Sequence, residues 1–155
     1  MFEIKKSPLR LIEFFLLENQ FSVNSNGISS PNDADQYFNS YPIFIDFTHQ
    51  DITVDEFQVF VKIKVNSDGK APGYSLVCNG MGVFELPSDL MVKDAAVYKN
   101  LKRYSTVNMV ISHIRNIISI QTAFAPHGRY KLPPIDIGDL FAQKAEKQNP
   151  KNKKG

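Results

Sequence analysis

Three histidines, one cysteine and a scatter of carboxylates are the side chains of this sequence with the chemistry to catalyse or to bind a metal. His49, His113 and His127 fall in a loop, a helix and a linker, and none has the HExxH-like spacing that sets two imidazoles on one metal. They read as surface or capping groups. Cys78 is the single cysteine, so no intrachain disulfide can form. Its place in the middle of a strand reads as a buried, inert thiol. Gly80-Met81-Gly82 looks like part of a glycine loop but lacks the third glycine, the Lys-Ser/Thr pair and a following helix. Glycine within a strand instead marks a bulge or the close approach of another backbone. Asp33, Asp35, Asp46 and Asp51 lack the glycine and terminal glutamate of a calcium loop. No catalytic group, metal or cofactor is expected.

The elements that would position these residues are four strands followed by helices. Arg10 to Val23 and Tyr41 to Phe47 read as strands, the second alternating Ile43, Ile45 and Phe47 against Phe44 and Asp46. In Glu56 to Val65, residues Phe57, Val59, Val61, Ile63 and Val65 share one face opposite Gln58, Lys62 and Lys64. A one-residue slip would bury those lysines, so the register is well specified. Gly73 to Leu86 is the fourth strand, interrupted at Gly80 and Gly82, and Ser67-Asp68-Gly69 is the tight turn before it. Asn24 to Ser40 reads as loop. Short connections require an antiparallel sheet.

After Pro87 the spacing turns helical. Val107, Val110, Ile111, Ile114, Ile117, Ile118 and Gln121 form a broad stripe, widened by Met109 and Ile120. Ser105 or Thr106 is placed to cap this helix, and a short helix within Asp89 to Arg103 precedes it. Pro126, Gly128, Pro133 and Pro134 predict a stiff extended linker. A second helix runs from Asp136, as cap, to about Lys147, with Ile137, Leu140 and Phe141 on its apolar edge. The predicted fold class is α+β: a four-stranded antiparallel sheet followed by two helices on one face.

Composition points to binding rather than catalysis. The chain has 155 residues, with twelve Phe, six Tyr and no Trp, a heavy aromatic load for so small a sheet. Phe124, Tyr130, Leu132, Pro133 and Pro134 lie on the linker, where polar residues are the norm. Surplus apolar surface implies a partner, either sister subunits or bound polypeptide. The net charge of +2 is uneven: residues 142–155 hold five lysines and one glutamate, and the rest of the chain is acidic. This predicts one domain over residues 1–147 and a disordered basic tail over 148–155. Nucleic-acid binding through that tail is not favoured. Residues 1–18 have a basic start and an apolar run, but Glu13 interrupts it and no small-residue cleavage pattern follows. No stretch reaches the roughly 20 apolar residues of a membrane span. A soluble cytoplasmic protein is expected.

Two runs carry a resemblance. Asn108 to Ser119 (Asn-Met-Val-Ile-Ser-His-Ile-Arg-Asn-Ile-Ile-Ser), then Thr122-Ala-Phe, then Lys131-Leu-Pro-Pro-Ile-Asp-Ile-Gly-Asp-Leu-Phe141, resemble the helix–linker–helix end of the SecB chaperone family. Phe57 to Val65 resembles its central strand, and Tyr74 to Phe84, closing on Gly82-Val83-Phe84, resembles the next strand and its Gly-apolar-Phe close. The resemblance covers about residues 10–147. It implies an ATP-independent holdase that binds unfolded or pre-export polypeptides in apolar grooves, assembled as a homotetramer, a dimer of dimers. By position it implies groove roles for Ile43, Ile45, Phe84, Phe124, Tyr130, Leu132, Leu140 and Phe141. It implies interface roles for Leu76, Cys78, Gly80, Val110 and Ile114. Export members dock on a SecA-type motor through acidic residues. The matching positions here are Gln20, Asn24, Ser75 and Val77, none acidic, and Lys151-Asn-Lys-Lys-Gly stands where an acidic tail is usual. This weakens the expectation of motor coupling and ranks a motor-independent client, such as the antitoxin of a toxin–antitoxin pair, close to general protein export. The runner-up reading is a small α+β enzyme of the hot-dog type, which would need an acid or base on its helix. His113 is there, with no carboxylate within a turn.

Overall fold

The computed structural model describes residues 1–28 and 34–148. Asp33 and the tail beyond Gln148 lie outside them. Four strands, β1 (Arg10–Asn24), β2 (Ile43–Asp51), β3 (Glu56–Val65) and β4 (Gly73–Glu85), form one antiparallel sheet in the order β1-β4-β3-β2. The central strand β3 buries Phe57, Val59, Val61, Ile63 and Val65 on one face, as its alternation requires. Opposite them on β4 stand Phe84, Gly82, Gly80, Cys78 and Leu76. The helix α4 (Thr106–Ala123) lies on this face with Val107, Val110, Ile111, Ile114 and Ile118 fully buried. Each such side chain contributes about 1.5–3 kcal/mol of burial free energy.

Gly80 and Gly82 do not interrupt β4, which runs unbroken through both. They let other groups come close. A Cβ at Gly80 would lie 2.8 Å from the Phe14 ring and 3.2 Å from Ile114. At Gly82 it would lie 2.5 Å from Phe84 and 2.9 Å from Val110. The irregularities sit on β1 instead, between Leu11 and Glu13 and between Leu16 and Glu18.

Several local expectations are corrected. His49 belongs to β2, which runs on to Asp51, and not to a loop. The predicted loop between β1 and β2 contains a short helix, α1 (Ala34–Phe38). The turn between β3 and β4 spans residues 66–72 and is organised by Asn66 rather than by Ser67-Asp68-Gly69 alone. Asn66 adopts φ +45° and is buried. Its Nδ2 donates to the carbonyls of Ala71 (2.8 Å) and Tyr74 (2.9 Å), and its Oδ1 accepts from the Ala71 amide (3.2 Å).

The short helix expected before α4 is two helices and a turn: α2 (Asp89–Lys93), α3 (Ala95–Asn100) and a π-helical turn (Leu101–Ser105) that runs straight into α4. The cap is therefore not at Ser105, whose backbone is already helical and whose side chain makes no cap bond. Asp94 caps α3 by accepting from the Val97 amide at 3.1 Å. Thr106 Oγ1 instead donates backwards to the Lys102 carbonyl at 2.6 Å. Beyond α4, residues 124–136 turn at Gly128 and run back extended, and α5 (Ile137–Gln148) follows. Asp136 caps α5 as expected, its Oδ1 accepting from the Asp139 amide at 2.9 Å.

Most of the aromatic load is spent inside. Phe38, Tyr41, Tyr74 and Tyr130 form one cluster, with ring centroids 5.4–5.6 Å apart. Tyr74 Oη donates to the Gly128 carbonyl (2.7 Å) and accepts from the His127 amide (2.9 Å). The linker is bound along its length. The Tyr130 amide donates to Thr122 Oγ1 at 2.9 Å, and the Arg115 guanidinium donates to the Leu132 and Pro133 carbonyls.

Candidate functional site

A groove of about 930 Å³ opens between the edge strand β2 and the linker–α5 corner. That volume lies at the upper end of the ~300–1,000 Å³ typical of ligand pockets. Ile43 and Ile45 line one wall, and Pro134, Ile135 and Leu140 line the other. Phe44, 62% exposed, stands on its rim. Lys62, Lys64, Lys144 and Lys147 bring cations to it, and Asp46, Asp136 and Asp139 bring anions. Each piece follows from local sequence. The period-2 pattern of β2 sends Ile43 and Ile45 to the face that α4 covers, but β2 extends past the helix at the sheet edge. Pro133 and Pro134 keep the linker extended until Asp136 starts α5 beside it.

A strap holds α5 over the edge of β2. Lys144 Nζ pairs with Asp46 at 3.0 Å and donates to the Phe47 carbonyl. The Lys144 hydrogen bond holds the Asp46 carboxyl below its usual range. Phe141 packs on Phe47 (centroids 4.4 Å) and Tyr104 (4.6 Å) under the Arg103 guanidinium (5.1 Å). Phe141→Ala should release α5 without unfolding the sheet, because Phe141 is the buried side chain of the helix and Ile137, Leu140 and Lys144 are only partly covered. Amide exchange over residues 140–148 should speed up at least tenfold while β3 and β4 amides stay unchanged.

Next to the strap, His49 Nε2 lies 3.0 Å from the Lys102 carbonyl and 3.3 Å from Thr106 Oγ1, joining β2 to the π-helical turn. Burial lowers its pKa, aided by the charges of Lys102, Arg103 and Lys144. The folded chain therefore takes up a proton at His49 less readily than the unfolded chain, whose histidine titrates near pH ~6.5. The stabilisation is complete above that pH and is lost as pH falls from there through the lower folded pKa. His49→Gln should flatten the fall in Tm between pH 7.5 and 5; an unchanged slope would assign the effect to another group.

The side chains that sequence and resemblance assigned to the groove divide. Ile43, Ile45 and Leu140 come together in it. Phe124 stands apart at the end of α4, 94% exposed. Phe84, Tyr130, Leu132 and Phe141 are closed inside the subunit and present no surface. For Tyr130 and Leu132 the cause is the set of bonds tying the linker to Thr122 and Arg115. Phe84 is stacked on Phe57 (5.8 Å) beneath α4. Leu76, Cys78, Gly80, Val110 and Ile114 are likewise buried where sheet meets helix. Burial, with Glu18 nearby, pushes the Cys78 thiol up to about 11, too high for a nucleophile at neutral pH. His113 stacks on Phe14 at 4.8 Å. Ile135 and the four lysines were not anticipated as lining. Phe44 and Lys64 had a legible signal: an apolar side chain on the polar phase of an edge strand, facing a cation across the ladder.

Among the described residues no cluster of three or more His, Cys, Asp or Glu could hold a metal, and no helix is long and apolar enough to cross a membrane. No protein-family model and no curated protein matches the sequence. Among solved structures, the SecB-like chaperone of Mycobacterium tuberculosis, solved with a ChAD peptide from the HigA1 antitoxin, superposes with a TM-score of 0.51 at 12% identity. The match covers 83% of this chain and 88% of that one. A protein of unknown function from Streptococcus agalactiae superposes with a TM-score of 0.48 at 4% identity, over 82% of this chain and 97% of that one. With its antiparallel sheet in the order β1-β4-β3-β2, the long helix on one face and the extended return to a second helix, this chain has a SecB-like fold.

Proposed function

We propose that this protein is an ATP-independent holdase that takes apolar segments of unfolded polypeptide into the groove between β2 and α5. The observation that carries the reading is the meeting of Ile43, Ile45, Ile135 and Leu140 around a volume that the side chains of the described residues leave open. Nothing in such a groove selects by shape, so binding is driven by apolar area, at about 25 cal/mol per Å² removed from water, and is sequence-tolerant. The SecB-like fold supports the reading, and so does the neighbouring structure that holds an antitoxin peptide. Purified protein should suppress aggregation of several chemically unfolded proteins without nucleotide. No suppression of any of them would remove the reading.

The working assembly is a homotetramer, a dimer of dimers. β1 is a 15-residue edge strand with exposed Ile12, Phe15, Leu16, Leu17 and Val23. An edge so long and apolar needs a partner. The outward side of α4 adds Ile120, 65% exposed. Leu76, Cys78, Gly80, Val110 and Ile114 act behind these surfaces, by setting how closely helix and sheet pack. A solution mass of four 17.6 kDa chains is expected. The protein works in the cytoplasm, and coupling to a SecA-type motor is the less favoured route. Gln20, Asn24, Ser75 and Val77 lie on the sheet face away from α4, and all are neutral. An antitoxin suits this better than an export precursor, and a pull-down with tight motor binding would reverse that preference.

A further inference from the structure

We infer that a small oxyanion of the sulfate or phosphate type binds in a recess between β2, the π-helical turn and α5, and so fastens α5 to the body of the subunit. The recess, of about 300 Å³, lies beside the strap of Phe141 and Lys144. Phe47 and Phe141 give it an apolar side, and His49, Arg103, Lys144 and Gln148 bring polar groups to it. No carboxylate among the described residues lines it. The site is independent of the holdase reading.

Three cations converge here, and two of them are paired. Lys102 pairs with Asp51 at 2.7 Å and Lys144 with Asp46 at 3.0 Å. Arg103 has no ion-pair partner among the described residues. Its guanidinium lies over the Phe141 ring, 5.1 Å from the centroid. A guanidinium held on an aromatic ring keeps its N–H fork for an oxyanion. Burial first, and then the charges of Lys102, Arg103 and Lys144, keep His49 below its usual range. Asp46 and Asp51 therefore leave the field at the imidazole positive. Single π-helical turns are frequent at functional sites, and this one carries Arg103 at its centre.

The edge of β2 adds a backbone donor. The Asn66 amide donates to the Pro42 carbonyl and the Ile52 amide to the Glu56 carbonyl, both at 2.9 Å. With the register unbroken between them, even-numbered residues of β2 bond to β3 and odd-numbered residues turn their amides to the free edge. The Phe47 amide is taken by Asp46 Oδ1 at 2.8 Å. The His49 amide, two residues on, has no acceptor among the described residues. A bound ion is thus offered the His49 amide, the Arg103 guanidinium and the Lys144 ammonium, one from each of three elements. By joining Arg103 to Lys144 it ties the π-helical turn to α5.

The same geometry links the ion to pH. The Lys102 carbonyl can only accept, so His49 Nε2 carries the proton of the neutral ring. A second proton adds positive charge beside the ion, and the ion in turn raises the His49 pKa. Affinity is greatest below the pKa of the free protein and least above that of the complex. The other charged groups around the imidazole are Asp46 and Asp51 on β2, Lys102 and Arg103 on the turn, and Lys144 and Lys147 on α5. All of them keep their charge over this range.

The test titrates the full chain with sulfate, whose charge is constant over the same range, against chloride at matched ionic strength. Sulfate should shift the NMR signals of the His49 and Arg103 amides and raise the imidazole pKa of His49 by about half a pH unit or more. Amide exchange over residues 140–148 should slow about threefold or more, with β4 unchanged. Inorganic phosphate should move the same signals. Arg103→Gln should weaken sulfate binding about tenfold or more. Arg103→Lys, which keeps the charge without the fork, should bind between the two. Lys70→Gln, at an exposed lysine of the β3–β4 turn, should bind like the parent. Equal responses to sulfate and chloride would reduce the effect to screening and overturn the site. A His49 pKa that sulfate leaves in place, or binding that survives Arg103→Gln, would overturn it as well.

Discussion

Ile45→Asp combined with Leu140→Asp should abolish aggregation suppression while leaving the sheet and α4 folded. Both side chains are partly buried at the margin of the core, so each carboxylate also costs some stability, which Tm reads alongside suppression. Both face the groove from opposite walls. Each replaced side chain removes about 1.5–3 kcal/mol of apolar burial from a bound guest. At about 1.4 kcal/mol per decade, the pair should weaken client affinity a hundredfold or more. Each aspartate would also have to be desolvated beneath an apolar client residue. The control is Val92→Asp, an exposed position on α2 away from the groove, which should leave suppression intact. Light scattering of an unfolded client, with and without each variant, reads the effect. Equal suppression by the double variant and the parent would move the client site elsewhere, with the exposed Phe124 the next place to test.

Asn66→Ala should be the most destabilising single change outside the hydrophobic core, at about 3–4 kcal/mol. Three hydrogen bonds to one buried side chain close the β3–β4 turn. Their loss strands backbone groups of Ala71 and Tyr74, each at about 1–3 kcal/mol if buried without a partner. Alanine also resists the positive φ that asparagine tolerates. Partial rescue of the lost bonds by water keeps the total near the stated figure. For a chain of this length the change corresponds to a fall of roughly 6–15 °C in Tm. A urea midpoint for Asn66→Ala corresponding to less than 1 kcal/mol would show that the turn is held by Gly69 and Gly73 without Asn66.

The two variants probe residues of very different legibility. Ile45 and Leu140 are legible in the sequence, Ile45 from strand alternation and both from the resemblance of the chain to SecB. Asn66 is not. An asparagine after an apolar strand reads as any turn residue, and its role depends on the carbonyl of Tyr74, eight residues on, being brought beneath it. The long helix shows the same limit. The stripe from Val107 to Gln121 marks α4 correctly, but the Ser-Thr pair at its start only looks like a cap. The helical run in fact begins at Ala95, and Thr106 bonds backwards because the π-helical turn leaves the Lys102 carbonyl within reach. Capping signals are local and cannot report that a preceding segment is already helical.

Surplus aromatic side chains point to a binding function, and the fold divides that surplus. By itself the sequence determined the four strands, the buried face of β3, the breadth of the α4 stripe and the start of α5 at Asp136. Each of these depends on neighbours within a few residues and on the periods of 2.0 and 3.6. Only the tertiary structure decided which apolar groups remain available. Ile43, Ile45 and Leu140 share a groove because β2 takes the sheet edge and the linker returns α5 to it. Tyr130, Leu132, Phe84 and Phe141 are withdrawn because Thr122, Arg115, α4 and Phe47 hold them inward. Exposure is a property of long-range packing, and no spacing along the chain encodes which of two apolar residues the rest of the molecule will cover.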